Sequence, residues 1–258
     1  MIDVAIEAAT TAGKFLRQNV GKIKSIETKG GEARNLVTEI DKGAEELIIS
    51  IIHRKFPSHD ILAEESGATK GHASDYRWVI DPLDGTTNFT HGLPVFCVSI
   101  GLEHKGELIA GVVYDPNLQE LFTAERGAGA FLNGKKIRVS DRATLKESLL
   151  VTGFPYNIAE NPNNAVEHFV SFLMKAQAVR RMGSAAIDLA YVAAGRFDGF
   201  WEVALHPWDM AAGALLVMEA GGKLSDFGGT EFSIYNPEMV SSNGRVHGEM
   251  VGVLKKPL

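Results

Sequence analysis

The sequence predicts a layered α/β sandwich, an α+β arrangement with a largely antiparallel first sheet and a smaller α/β half. Three observations predict it. Two helical apolar patterns come first, a middle third of short apolar runs bounded by turn residues follows, and strand and helix patterns alternate from Leu145 onward. Of the 258 residues, 1-145 are expected to form an N-terminal α+β subdomain and 146-258 a C-terminal α/β subdomain packed against it.

Ile2, Ala5, Ile6, Ala9 and the run from Gly13 to Leu16 keep helical spacing. So do Ala44, Leu47, Ile48, Ile51 and Ile52, in a segment that must end before Pro57. Thr38 and Asp41 have the spacing of a capping box, with Asp where Glu or Gln is usual, which places Asp41 in the first turn of this second helix. Strands are expected at 61–63, 78–80, 95–102, 108–114 and 120–124, and at 130–139 with a break at Asn133-Gly134, the dipeptide of a tight hairpin. A strand at 149–152, helices near 165–176 and 185–194, a strand near 199–203 and a helix from about 208 to 220, stopped by Gly221-Gly222, complete the pattern.

Lys plus Arg number 26 and Asp plus Glu 32, a formal net charge of −6, which excludes a strongly basic nucleic-acid binder. With 45% apolar and 22% charged residues the chain is far from the composition of disordered proteins. Cys97 is the only cysteine, so no intrachain disulfide exists, and its neighbours Val95, Phe96, Val98 and Ile100 mark it as a core residue. No segment reaches the roughly 18 to 20 apolar residues of a membrane span, and the first residues lack a signal peptide's apolar run. The expectation is a cytoplasmic protein with no membrane partner and no direct nucleic-acid contact.

The chemistry concentrates where apolar strands run into acid. Trp78-Val79-Ile80 leads directly into Asp81-Pro82-Leu83-Asp84-Gly85-Thr86. Pro82 holds Asp81 extended, and Gly85 lets the backbone come close to a ligand. A helix starting after Gly85 would turn its free N–H groups towards a phosphate. Two further acidic exits are Ile61-Leu62-Ala63-Glu64-Glu65 and His206-Pro207-Trp208-Asp209. Singly, these read as turn formers, a solvated loop and an N-cap. Together, in a chain whose histidines show no zinc-ligand spacing, three carboxylate-ended segments favour a hard divalent ion, magnesium or manganese.

The octapeptide from Asp81 to Asn88, preceded by Glu64-Glu65 and followed by Trp208-Asp209 with Ala211-Ala212-Gly213, resembles the inositol monophosphatase family. The resemblance extends over nearly the whole chain through Gly127-Ala128-Gly129-Ala130-Phe131, Gly183-Ser184-Ala185-Ala186 and Glu219-Ala220-Gly221-Gly222. It implies layers in the order αβαβα and a Mg2+-dependent phosphoric monoester hydrolase with two to three ions, Mn2+ substituting. By that resemblance Glu64, Asp81 and the Leu83 carbonyl hold one ion and Asp81, Asp84 and Asp209 a second, while Glu64 helps hold a weaker third through waters. Thr86 and Glu64 position the attacking water, and Asp41 hydrogen-bonds Thr86.

For the substrate, the resemblance implies that Gly85 and Thr86 cradle the phosphoryl oxygens. Asp84, Asp209, Ser184, Ala185 and Glu202 then face the hydroxyls of a cyclitol or sugar. An arginine of the pair Arg180-Arg181, assigned to Arg180, joins them; for Glu202 and the arginines a plain surface role stays open. The segment 29–35 is expected to be a mobile flap or an ordinary surface hairpin. Inositol monophosphate is the leading substrate, with fructose-1,6-bisphosphatase or dual activity as the nearest alternative. The resemblance further implies lithium sensitivity and a homodimer, with the two N-terminal helices and the apolar residues near 154–156 offered for its interface. A regulatory binding partner in transcription or ribosomal-RNA maturation is the reading of another class.

Overall fold

The computed structural model describes residues 1–28, 35–69 and 74–256, so most of the segment expected as a flap, 29–34, lies outside the described residues. The chain opens with α1 (Ile2–Asn19), which buries Ala5, Ala8, Ala9, Ala12, Gly13 and Leu16 along one stripe. A Cβ on Gly13 would stand 2.4 Å from the Tyr114 ring, so the absent side chain allows this close approach. A short antiparallel pair, β1 (Ile26–Thr28) and β2 (Leu36–Thr38), leads into α2 (Glu39–Lys55). The capping box is present: Ile40 N–H donates to Thr38 Oγ1 at 3.1 Å, and Thr38 N–H donates to Asp41 Oδ2 at 2.9 Å.

The middle third is β3 (Asp60–Ala63), β4 (Gly67–Thr69), β5 (Tyr76–Asp84), the short α3 (Thr86–Thr90), β6 (Cys97–His104), β7 (Glu107–Asp115), β8 (Glu120–Glu125), β9 (Gly129–Leu132) and β10 (Lys135–Lys136). These strands make one sheet, β10-β9-β8-β7-β6-β5-β3-β4. Every pair in it is antiparallel except β3 with β5. Asn133 and Gly134 both take positive φ, 48° and 74°, and turn β9 into β10. The strand expected to reach Val139 stops at Lys136, where both lysines of β10 are exposed at the sheet edge.

The second half carries β11 (Leu149–Thr152), α4 (Ala165–Leu173), β12 (Ala178–Arg180), α5 (Ala185–Ala193), β13 (Gly199–Val203), α6 (Pro207–Glu219), β14 (Lys223–Ser225), β15 (Glu238–Ser242) and α7 (His247–Leu254). Its sheet runs β12-β11-β13-β15-β14, parallel over the first three strands and antiparallel beyond them.

The helices sort into three layers around the two sheets, giving αβαβα. The first pair, α1 and α2, covers the outer face of the first sheet; α5 and α6 fill the space between the sheets; α4 and α7 cover the far face of the second. Three hydrophobic cores fill the layers, and the central one joins Val79, Val113 and Phe122 of the first sheet through Leu189 and Leu215 to Phe200 of the second. Small residues set the spacing there. A Cβ on Gly101 would meet that of Ala211 at 2.6 Å, and one on Gly111 would meet the Ala212 carbonyl oxygen at 2.8 Å. Among the described residues no helix is long and apolar enough to cross a membrane.

In the outer layer His247 is 3% exposed, with Nδ1 2.9 Å from Ser242 Oγ and Nε2 2.9 Å from Ser225 Oγ. Burial, helped by Lys223, lowers its pKa from 6.5 to about 4. The unfolded chain therefore binds this proton at higher pH than the folded one. The stability owed to a neutral His247 is complete above 6.5 and is lost as pH falls towards 4, at no more than about 1.4 kcal/mol per pH unit. Denaturant melts of wild type and His247→Gln between pH 7 and pH 4 check this: the wild type is expected to lose more stability over that range than the variant.

Candidate active site

A cavity of about 360 Å³ opens where the first sheet, the central helices and β13 meet, and Glu64, Asp81, Leu83, Asp84, Gly85, Thr86, Ser184, Ala185, Glu202 and Asp209 all line it. They arrive on several separate pieces of backbone. Glu64 follows the end of β3, its N–H donating to the Ile80 carbonyl at 3.2 Å. Asp81 and Asp84 lie on β5, across a register shift against β6 that frees the strand from its regular pairing. Gly85 then takes φ 100° and starts α3. Asp209 sits in the first turn of α6, its Oδ2 accepting from His206 N–H at 2.7 Å; it is the third helical residue rather than the cap itself.

One oxygen of each aspartate is tied to the protein. Asp81 Oδ1 accepts from Leu83 N–H at 3.0 Å, and Asp84 Oδ2 accepts from Ser184 Oγ at 2.6 Å and from Ala186 N–H at 2.7 Å. Thr86 Oγ1 lies 2.9 Å from Asp41 Oδ1 and 3.2 Å from the Leu83 carbonyl. Asp41 itself is fully buried behind Thr86 and does not line the cavity.

The electrostatics are those of crowded like charge. Burial first, then the charges of Glu64, Asp84 and Asp209 and a hydrogen bond shared with Glu64, push the Asp81 carboxyl well above the usual range. Asp209 is raised by burial, Glu64 and Asp84. Burial raises Asp84 to about 6 against the opposing bonds from Ser184 and Ala186. Among the described residues no three carboxylate, histidine or cysteine side chains close on one ion position as they stand. The donor set nonetheless fits a hard divalent cation: it is oxygen throughout, it gathers four carboxylates, and their mutual repulsion is what a bound cation relieves.

One expectation is corrected by the geometry. Arg180 does not reach the cavity: it ends β12, exposed, with its guanidinium on the Val179 carbonyl, and Arg181 lines the cavity instead. Successive residues of an extended segment point to opposite sides, so only one of the pair can face inward. Phe154 and Tyr156, offered above for a dimer interface, are among the residues that line the cavity, Phe154 packing edge-on against Phe169. Burial together with Glu64 and Asp209 raises the Tyr156 phenol, which stays protonated.

Three residues hold roles that the sequence did not reveal, although Asn88 stands in the motif from Asp81 to Asn88. Gly153 makes room for Glu202, since a Cβ there would stand 2.2 Å from either carboxylate oxygen. Asn88 ties α3 to the loop before α5, donating to the Val95 carbonyl at 2.7 Å and the Met182 carbonyl at 2.9 Å. Asp188 lines the cavity from within α5, where a lone charge in the run Ala-Ala-Ile-Asp-Leu-Ala-Tyr-Val-Ala was the available signal.

A five-layer fold thus holds a carboxylate-lined cavity where its two sheets and central helices meet. The sequence profile of the inositol monophosphatase family matches residues 1–256, and the chain belongs to that family. It is 47% identical over 247 residues to a Pseudomonas aeruginosa protein named Nus factor SuhB, covering 94% of this chain and 91% of that protein. It is 41% identical to the inositol-1-monophosphatase of Mesorhizobium japonicum, covering 100% of this chain and 97% of the relative. The solved inositol monophosphatase of Anabaena (Nostoc) sp. PCC 7120 superposes with a TM-score of 0.90 at 43% identity, covering 100% of this chain and 96% of that one.

Proposed function

We propose that the chain is a magnesium-dependent phosphatase that hydrolyses inositol monophosphate to inositol and phosphate. The observation that carries this reading is the gathering of Glu64, Asp81, Asp84 and Asp209 around one cavity, with Thr86 held on Asp41 at its wall. Glu64, Asp81 and the Leu83 carbonyl would hold one cation, and Asp81, Asp84 and Asp209 another. Such ions supply a lowered pKa for bound water and neutralise the phosphate dianion and the leaving alkoxide.

The chain's own groups do the rest. The Thr86 hydroxyl commits its proton to Asp41, so its oxygen is left to accept from a water and orient it. Glu64 is the second acceptor for that water and takes its proton as the oxygen attacks phosphorus and the P–O bond to the alcohol breaks, the leaving alkoxide taking a proton from solvent. Gly85, without a side chain, lets the phosphoryl group approach the backbone. Arg181 adds a cation to an otherwise acidic cavity, and Glu202 faces the alcohol. Burial raises Glu202 to about 8, Asp84 adding to the rise and Arg181 opposing it, so near neutral pH its carboxyl is able to donate to a hydroxyl as well as accept from one.

A second reading, a binding role in transcription or ribosomal-RNA maturation, is favoured by the relative named Nus factor SuhB. Phosphate release measured with magnesium on inositol 1-phosphate, fructose 1,6-bisphosphate and adenosine 3′,5′-bisphosphate separates the two. Preferred turnover of inositol 1-phosphate is expected, and comparable fructose bisphosphate turnover makes the enzyme dual-specific. Folded protein that releases no phosphate from any of them moves the binding role to first place.

A further inference from the structure

Asp188 is the one charged side chain of α5, a helix otherwise built of apolar residues and buried along nearly its whole length. It is 1% exposed, and its Oδ1 has no hydrogen-bond donor in the protein. A buried oxygen without a donor costs free energy that Leu at the same place would avoid, and native structures keep few of them. Asp188 also lines the active cavity, where Glu202, Asp84 and Arg181 are the charges that act on it. Burial first, then Glu202 and Asp84, hold its carboxyl well above the usual range, which favours the neutral acid, a form that keeps one oxygen as a hydrogen-bond acceptor.

We propose that Asp188 is a specificity-determining residue whose Oδ1 accepts a hydrogen bond, directly or through one water, from a hydroxyl of the substrate's leaving alcohol. The inference rests on the phosphatase reading above and narrows it: the substrate is the phosphate monoester of a polyol, cyclitol or sugar, with one hydroxyl for Glu202 and another for Asp188. An alcohol without further hydroxyls leaves both carboxyls unmatched, and that mismatch is what discriminates.

The test is the ratio of kcat/KM for inositol 1-phosphate to that for phenyl phosphate, which carries no hydroxyl on its leaving group. Asp188→Leu is expected to lower this ratio about ten- to a hundredfold, chiefly through KM for the polyol. Asp188→Asn, which keeps a carbonyl acceptor, is expected to recover most of it. Melting temperatures of both variants accompany the kinetics. An unchanged ratio in Asp188→Leu, or a wild type that turns over phenyl phosphate but no polyol phosphate, overturns the inference. If the wild type releases no phosphate at all, the phosphatase reading fails, and calorimetric binding of inositol 1-phosphate decides Asp188 separately. Binding lost in Asp188→Leu upholds its role, and binding that is absent from the wild type or intact in the variant overturns it.

Discussion

Asp84→Asn is expected to lower magnesium-dependent phosphate release by about 100-fold or more while leaving the fold intact. The reason lies in how the two oxygens are divided. Oδ2 accepts from Ser184 Oγ and Ala186 N–H, a strut between β5 and α5 that an asparagine carbonyl can replace. The amide nitrogen then takes the other position, and the charge disappears. Because burial raises the Asp84 carboxyl to about 6, its ionised form weakens the metal-free fold above the ordinary carboxylate range, where stability falls as pH rises. With a chelator present, the variant's Tm is therefore expected to match or exceed the wild type's. Added magnesium should raise the wild-type Tm by mass action and raise the variant's less. A variant that keeps full activity, or that melts far below the wild type in chelator, contradicts this division of roles.

Gly85→Ala is expected to damage both stability and activity. Gly85 has φ 100°, a conformation that costs a residue with a Cβ about 1–3 kcal/mol. The added carbon would also stand 2.9 Å from the Val95 carbonyl oxygen and 3.3 Å from that of Gly183, and these are backbone atoms that cannot swing aside. A combined cost of about 3 kcal/mol or more corresponds to a Tm lowered by roughly 6–12 °C. Shifting this turn displaces Thr86 from Asp41 and Asp84 from Ser184, and a misplacement of this kind costs about 100-fold in kcat/KM. A melting scan and single-substrate kinetics on the purified variant check both; Gly85→Ala with wild-type Tm would show that the turn relaxes freely.

Much of this site was legible because its chemistry is local in sequence. Asp81, Asp84, Gly85 and Thr86 fall within six residues at the end of an unmistakable apolar strand, and Asp41 was placed in a first helical turn by its spacing from Thr38. Asp209 was legible by the same logic, as an acid opening an apolar helix. What was not legible depends on which way a side chain faces. Arg180 and Arg181 differ only by the alternation of an extended segment whose register is set by pairing with β11. Asp188 looked like one polar interruption of a packing helix until the cavity stood beside it. The elements after Gly222 left little pattern: β14 has three residues, and α7 contains Gly248 and Gly252, poor helix formers held by packing against β15 and α4.

The hydrolysis of inositol 1-phosphate by chelator-treated protein, before and after magnesium is restored and with Asp81→Asn alongside, is the deciding measurement. Release that is absent in chelator, returns with magnesium and stays absent in Asp81→Asn is the expected result. Release that persists without a divalent ion, or that Asp81→Asn supports as well as the wild type, would contradict a metal-assisted reaction in this cavity.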